Sequence, residues 1–197
     1  MLNNIRKNIR LTNHDYSSDG SYFIIICTKD KECYFGEIKN NKMVFTSVGE
    51  IAQKYLAEIS SHFENVKLEE FVIMPNHVHC LLNLSEANVG TRHVVSLQNE
   101  SNMSLGTSHV MSLPDDNKKN QFSKPIPGSV SVIVQQFKSS VKRWCNQNGY
   151  SYFQWQSRFH DHVIRNYDSY LEIKNYIHSN VANWSKDSLY NLISKGY

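Results

Sequence analysis

The feature that most constrains the fold is an apolar run at residues 71–84, FVIMPNHVHCLLNL. Pro75-Asn76 in its middle is typical of a tight turn, so the region predicts two strands, at about 66–74 and 77–84, that meet there. A second apolar run, SYFIIICT at residues 21–28, is rich in β-branched and aromatic side chains. It predicts a central strand buried on both faces, so the chain is expected to build around a sheet.

The segment between these strands predicts a hairpin and a first helix. Residues 32–46, ECYFGEIKNNKMVFT, hold two strand-like pieces on either side of Asn40-Asn41 and predict a hairpin. Ser47, with Glu50 three residues later, forms a capping-box pattern, which predicts Ser47 as the N-cap of a helix.

Two further helices and one more strand are predicted in the C-terminal part. A helix follows Ser129, its predicted N-cap, and Gly149 fits its C-terminal cap. An extended segment lies within residues 152–166, and a third helix runs from about Tyr167 into the 180s with Trp184 on its buried face. Without the added hairpin, the order of elements is βαββαβ. The predicted fold class is therefore α+β, ferredoxin-like or RRM-like, with an antiparallel sheet, an added β-hairpin and a C-terminal helix.

Length and one unusual segment set the domain organisation. With 197 residues, the chain is predicted to form a single domain over residues 1–197. Residues 85–128 are rich in Ser, Asn, Gly and Thr and are too long for an ordinary connection. Within them, VGTRHVVSL at 89–97 nearly recurs as LGTSHVMSL at 105–113. Two copies are too few for a solenoid, so we expect a duplicated, flexible surface insertion.

Composition narrows the compartment and the partners. The formal net charge of +3 is compatible with nucleic-acid binding but is too small to predict it. The four cysteines show no C-x-x-C spacing, as expected for buried thiols in a reducing cytosol. No apolar stretch approaches the roughly 20 residues that a membrane helix needs, and the basic, polar N-terminus lacks the apolar core of a signal peptide. We therefore expect a cytoplasmic protein with no membrane partner.

Two histidine pairs stand out for their spacing. His77 and His79 are two residues apart on a predicted strand, so both imidazoles lie on one face while Val78 points to the other. Two neutral imidazoles placed in this way can share one divalent cation, and two half-buried, hydrogen-bonded histidines are the alternative. The second pair, within His160-Asp161-His162, has a charged residue between its members and is predicted to face the surface or a groove.

A nucleophile is predicted on the third helix. Tyr176 and Asn180 are four residues apart and lie on one face of that helix, with Tyr176 at the border of the buried stripe. From there the phenol can reach over the sheet edge, while Asn180 offers an amide oxygen to a metal. Tyrosine is a weak nucleophile at its ordinary pKa of about 10, and a nearby cation makes its attack feasible. The alternative is a tyrosine that packs on the sheet.

Three sequence blocks resemble the signature blocks of the single-tyrosine HUH transposases, a family that includes the REP-associated group. The blocks are FVIMPNHVHCLL, WQSRFHDHVIRN and NYIHSNVANW, in this order. The likeness covers most of residues 14–84 and 129–187 and skips the duplicated insertion. The resemblance implies a metal-dependent endonuclease and strand transferase that cleaves single-stranded DNA and rejoins it through a 5′-phosphotyrosine intermediate.

Through this resemblance, individual residues take on expected roles. His77 and His79 match the metal-binding pair, and Asn180 matches the residue that completes a site for Mg²⁺ or Mn²⁺. Tyr176 matches the catalytic tyrosine, so the third helix is expected to be the catalytic helix. The family usually has proline directly after that asparagine. This chain has Val181, which permits another helical turn and a different angle for the third ligand.

The sequence also offers candidate residues for contacts with DNA. Cationic residues on the second helix and around the last strand are expected to line a phosphate track: Lys138, Lys142, Arg143, Arg158 and Arg165. The resemblance implies single-stranded or hairpin DNA as the partner, and a homodimer.

One alternative is a catalytically decayed or domesticated hairpin-DNA-binding protein. Another is a metal-dependent hydrolase, for which the sequence blocks supply no carboxylate base. The fallback nucleophiles are Tyr167 and Tyr170.

Overall fold

The protein is described from a computed structural model, which covers residues 14–85 and 126–190. In chain order its elements are β1 (Gly20–Cys27), β2 (Gly36–Lys39), β3 (Lys42–Phe45), α1 (Ser47–Ala57), α2 (Ile59–His62), β4 (Val66–Ile73), β5 (His77–Leu84), α3 (Val130–Gln147), β6 (His160–Ile164) and α4 (Tyr167–Ser179). Among the helices of these residues, none is long and apolar enough to cross a membrane. Most of the predicted insertion, residues 86–125, lies outside the described residues.

The main sheet has the predicted topology. Strands β1, β4, β5 and β6 form one antiparallel sheet in the order β4-β5-β1-β6, so β5 lies between β1 and β4 as in a split βαβ unit. The predicted ferredoxin-like fold is confirmed. Strands β2 and β3 pair separately as the added hairpin, and its turn residues Asn40 and Asn41 have φ angles of 51° and 58°. Asparagine tolerates this left-handed conformation, which a type I′ turn requires at both positions.

The two faces of the sheet carry different elements. Helices α1 and α3 cover one face, where alternate residues of β1 and β5 enter the main core: Tyr22, Ile24, Ile26, Val78, Cys80 and Leu82. Helix α4 crosses the other face, over a smaller cluster of Leu81, Ile164 and Ile177. Because side chains alternate along a strand, His77 and His79 share the α4 face with Leu81. The predicted functional residues therefore lie where the sheet and its last helix meet.

The limits of α3 agree with the sequence. Ser129 takes the N-cap position with extended backbone angles, and Gly149 follows the C-cap with φ at 87°, a left-handed conformation that favours glycine. The backbone N–H of Tyr150 then donates to the Cys145 carbonyl at 2.8 Å and closes the helix end.

Two other predicted helix limits are wrong. Helix α1 begins with Thr46 as its N-cap, whose side chain accepts a hydrogen bond from the Gly49 N–H, so the predicted start is one residue late. Helix α4 ends at Ser179, and Trp184 belongs to a separate 3-10 turn, Trp184–Lys186. After Ser179 the hydrogen bonds tighten: the backbone N–H of Asn183 donates to the Ser179 carbonyl at 3.2 Å and to the Asn180 carbonyl at 3.1 Å. The bonds that Lys186 and Asp187 then donate each span three residues.

Candidate metal and nucleophile site

Strand β5 presents the two histidines to the face of the sheet that α4 covers. His77 and His79 are 0% and 1% exposed, and their Nε2 atoms are 2.8 Å apart. The Nδ1 atom of His77 lies 2.7 Å from the side-chain oxygen of Asn76, which only accepts, so Nδ1 carries the proton of the neutral ring. The free electron pair of His77 is therefore on Nε2, directed toward His79.

Asn76 holds this arrangement from the turn that precedes β5. Its buried side-chain nitrogen donates to the Leu189 carbonyl at 3.3 Å, which turns the amide oxygen toward His77. Its backbone carbonyl accepts from both the N–H and the hydroxyl of Thr28, each at 2.9 Å. The sequence marks Asn76 only as a turn residue. In the structure it orients a candidate metal ligand, as the outer partners of metal-binding histidines commonly do.

Tyr176 reaches the histidines from α4. Its hydroxyl lies 3.4 Å from Nε2 of His79, and its ring packs edge-on against the rings of His79 and Phe23. The residue is 43% exposed, so a large substrate has access to it. The prediction that the phenol reaches over the sheet edge is wrong, because α4 crosses the face of the sheet.

Asn180 directly follows α4 and enters the same site. It is 2% exposed, its side-chain nitrogen donates to Oδ2 of Asp187 at 3.4 Å, and its Oδ1 has no hydrogen-bond partner among the described residues. A buried oxygen without a donor is costly, and a cation would satisfy it. The backbone of Asn180 stays helical, with φ −63° and ψ −41°, so Val181 does not remove Asn180 from the site.

Asp187 is a member of this site that sequence reasoning missed. Its Oδ2 accepts a hydrogen bond from the Tyr176 hydroxyl at 3.2 Å and lies 4.0 Å from Nε2 of His77. In the described part of the chain, ligand atoms of His77, His79 and Asp187 all lie within 4.8 Å of one another, a set that can hold a metal ion. This carboxylate comes from outside the three sequence blocks, the last of which ends at Trp184. Asp187 lies in the loop after α4 and carries no spacing signal, because only the fold brings it to β5.

Burial decides the protonation of these side chains. It lowers the pKa of His77 well below its ordinary value and the pKa of His79 to about 4, so both imidazoles are neutral at neutral pH. Neutral imidazole is the form that binds a metal. Burial, and then the negative charge of Asp187, raise the pKa of Tyr176 to about 12. Without a cation nearby, the Tyr176 hydroxyl keeps its proton.

The fallback tyrosines and the second histidine pair lie away from this site. Tyr167 is 71% exposed at the start of α4 and stacks on Tyr170, with ring centroids 6.2 Å apart. Tyr170 packs on the smaller cluster and lies beside Asn83, at the opposite end of β5 from the histidines. His160 and His162 are exposed, as predicted, on β6, which β1 separates from β5. The structure thus brings Tyr176 to the histidine pair.

The five predicted DNA contacts fall into two groups. Lys138 donates to the Gln156 carbonyl, and Lys142 donates to the carbonyls of Ser151 and Phe153 at 2.9 and 2.6 Å. Both ammonium groups therefore brace the segment that precedes β6. The other three residues are exposed: Arg143, Arg158 and Arg165. A groove between α3 and this segment is lined in part by Lys138, Lys142 and Arg143, and none of its described lining residues is acidic.

Fold and site together define a class of protein, a βαββαβ domain whose inner strand carries two histidines that face a tyrosine on the last helix. The family described as "Transposase IS200 like" matches residues 16–122, which are more than half of the chain and include both histidines. The chain belongs to this family of IS200-like transposases. Membership implies cutting and joining of DNA. Tyr176 and Asn180 lie beyond the matched residues.

Two individual proteins resemble the chain over most of its length. A protein of Haemophilus influenzae (strain ATCC 51907 / DSM 11121 / KW20 / Rd), described as uncharacterized, is 34% identical over 185 residues, which are 94% of this chain and 93% of that protein. A solved structure, described as a REP-associated tyrosine transposase bound to a REP hairpin, superposes with a TM-score of 0.50 at 15% identity. It covers 89% of this chain and 74% of that one, and at this identity the likeness supports the fold alone.

Proposed function

We propose that this chain cuts and rejoins single-stranded DNA with Tyr176 as the nucleophile and a divalent cation, Mg²⁺ or Mn²⁺, held beside it. The observation that carries the proposal is the convergence of three side chains. The Tyr176 hydroxyl lies 3.4 Å from Nε2 of His79, which lies 2.8 Å from Nε2 of His77. Membership in the IS200-like family supports the same activity.

The donor atoms of the site fit a divalent cation. Two neutral imidazoles direct their Nε2 atoms toward one another, and Oδ1 of Asn180 is buried without a partner among the described residues. We propose His77, His79 and Asn180 as ligands, and this mixture of nitrogen and oxygen donors suits Mg²⁺ or Mn²⁺ better than a cysteine-rich site would. When bound, the cation polarises the scissile phosphate and favours the ionised form of the nearby phenol.

Tyr176 would exchange one phosphate ester for another. Its oxygen gives up a proton to solvent and forms a bond to the phosphorus of the DNA backbone. The bond from phosphorus to the 3′ oxygen breaks, and this oxygen leaves with the electron pair and takes up a proton from solvent. The 5′ phosphate stays on Tyr176. Because the phosphodiester is conserved, the 3′ hydroxyl of a second strand can reverse the step and join new ends.

We propose that three exposed arginines contact the phosphates of the DNA: Arg143, Arg158 and Arg165. Lys138 and Lys142 add positive charge to the groove beside α3 while they brace its wall. Cationic side chains that follow a groove attract a nucleic-acid backbone, and the attraction weakens with salt. We propose single-stranded or hairpin DNA as the partner, and the homodimer stays a prediction.

Covalent capture tests this proposal. The full chain is mixed with Mn²⁺ and labelled single-stranded hairpin DNA from around the ends of its own gene, and the products are separated under denaturing conditions. The wild type is expected to leave a protein–DNA adduct that is absent from Tyr176→Phe and His77→Ala. Tyr170→Phe is the matched control and keeps the adduct. An adduct that survives Tyr176→Phe contradicts the proposal, and hairpin binding by the wild type without any adduct favours a DNA-binding protein that has lost catalysis.

A further inference from the structure

We infer that Asp187 is an additional ligand of this metal site, supplied by the loop that follows α4. The inference rests on the proposed function and extends it, since the family resemblance assigns only the two histidines and Asn180. The Asp187 side chain is 2% exposed, and its Oδ2 lies 4.0 Å from Nε2 of His77 and 3.4 Å from the Asn180 side-chain nitrogen. The carboxylate therefore borders the position toward which the imidazoles converge.

The loop determines which oxygen of Asp187 faces the site. Oδ1 accepts the backbone N–H of Leu189 at 2.7 Å, and the Leu189 carbonyl accepts the side-chain amide of Asn76 at 3.3 Å. The indole of Trp184 lies against the imidazole of His77, with ring centroids 5.9 Å apart. These contacts tie the loop to the turn before β5, so Oδ2 is the oxygen that is left for a metal.

The surroundings of Oδ2 call for a cation. This oxygen accepts from the Tyr176 hydroxyl at 3.2 Å and from the Asn180 amide at 3.4 Å, and both donors are neutral groups. Burial also keeps the imidazoles of His77 and His79 neutral through their lowered pKa values. A buried carboxylate among neutral groups is expensive, and a divalent cation at the same site offsets that cost.

A carboxylate also bears on which cation the site prefers. Imidazole nitrogens bind Zn²⁺ well, whereas Mg²⁺ and Mn²⁺ prefer carboxylate and carbonyl oxygens. Asp187 and Asn180 together turn a two-histidine site into one with two nitrogen and two oxygen donors. The loss of the Asp187 charge is therefore expected to weaken Mn²⁺ binding more than Zn²⁺ binding.

The test measures Mn²⁺ binding to the full chain without DNA, by following the electron paramagnetic resonance signal of free Mn²⁺ during a titration. Asp187→Asn keeps the size of the side chain and one acceptor oxygen but removes the charge. Asp168→Asn, which changes an exposed acid in the first turn of α4, is the matched control. The dissociation constant is expected to rise at least about tenfold in Asp187→Asn and to stay unchanged in Asp168→Asn. Equal Mn²⁺ affinity in Asp187→Asn and the wild type overturns the inference.

A second measurement covers the case in which Asp187→Asn does not fold, as judged by thermal unfolding with a chelator present. Wild-type chain with ¹³C-labelled aspartate carboxyl groups is loaded with Mn²⁺ and studied by electron–nuclear double resonance. A ¹³C coupling typical of a directly bound carboxylate supports the inference, because Asp187 is the one aspartate that residues 14–85 and 126–190 place in the histidine cluster. Loaded protein without such a coupling overturns it.

The two proposals fail in different ways. If the wild type forms the Tyr176 adduct while Asp187→Asn binds Mn²⁺ as well as the wild type, this inference is overturned and the proposed function stands. If Mn²⁺ binding depends on Asp187 but the wild type forms no adduct, the inference stands and the proposed function is overturned.

Discussion

Replacing His79 is expected to change how the stability of the metal-free protein depends on pH. The imidazole is 1% exposed, and burial lowers its pKa from 6.5 to about 4. Between these values the unfolded chain binds a proton that the folded chain does not bind, so the free energy of unfolding falls as the pH falls. This contribution is present above the pKa of the unfolded chain and is lost progressively as the pH drops toward about 4.

The size of the effect follows from the same two pKa values. At pH 5 the imidazole of the folded chain is still mostly neutral. The imidazole of the unfolded chain is protonated, because this pH lies about 1.5 units below its ordinary pKa. At about 1.36 kcal/mol per unit, His79 alone should cost about 2 kcal/mol of stability between pH 7 and pH 5. His77 acts in the same direction and remains in both proteins of the comparison.

Urea unfolding followed by tryptophan fluorescence, with a chelator present, measures this quantity. The wild type is expected to lose about 2 kcal/mol more than His79→Gln between the two pH values. The comparison uses the change with pH within each protein, so the direct cost of the substitution cancels. His178→Gln removes an exposed imidazole from α4 and is the control for the loss of a histidine. An equal pH dependence in the wild type and His79→Gln would refute the reasoning from burial.

Three further predictions concern the stability of the start of helix α1 and the proposed DNA-binding arginines. Gly49→Ala should destabilise the fold by about 2 kcal/mol in urea unfolding despite the better helix propensity of alanine, because the added Cβ would lie 2.1 Å from the Phe35 carbonyl oxygen; unchanged stability would contradict this. Thr46→Ala should cost about 1 kcal/mol in the same assay through the lost N-cap, whereas Thr46→Ser should cost little. Arg143→Ala and Arg158→Ala should each weaken binding to single-stranded DNA in fluorescence anisotropy and reduce the slope of log K against log salt by about 0.7. A slope that stays the same in either variant would exclude that arginine as a phosphate contact.

Strand patterning accounts for most of what the sequence could predict. The alternation in β5 places His77 and His79 on one face, and the structure agrees because a one-residue shift in register would turn both histidines into the main core and move Val78 and Cys80 out of it. The position of Asn40-Asn41 between two short strands predicts a hairpin, since both residues tolerate the left-handed backbone that they adopt. Both features depend on local backbone geometry, which is visible in the spacing of residue types along the sequence.

The rest of the site depends on contacts between distant segments. Asp187 and Asn76 meet only because the loop after α4 folds back onto the turn before β5, through Leu189. No periodicity in either segment reports this contact. The end of α4 could not be predicted either, because an apolar helical pattern does not distinguish the α-helix that ends at Ser179 from the three-residue hydrogen bonds that follow it.

The most direct test of the central claim is to identify the residue that becomes linked to DNA. Wild-type protein is allowed to react with hairpin DNA and Mn²⁺, the DNA is digested to a short remnant, and the peptides are sequenced by mass spectrometry. The proposal predicts a nucleotide remnant on Tyr176, attached through a 5′ phosphate. A remnant on Tyr167, Tyr170 or any residue other than Tyr176 would contradict it.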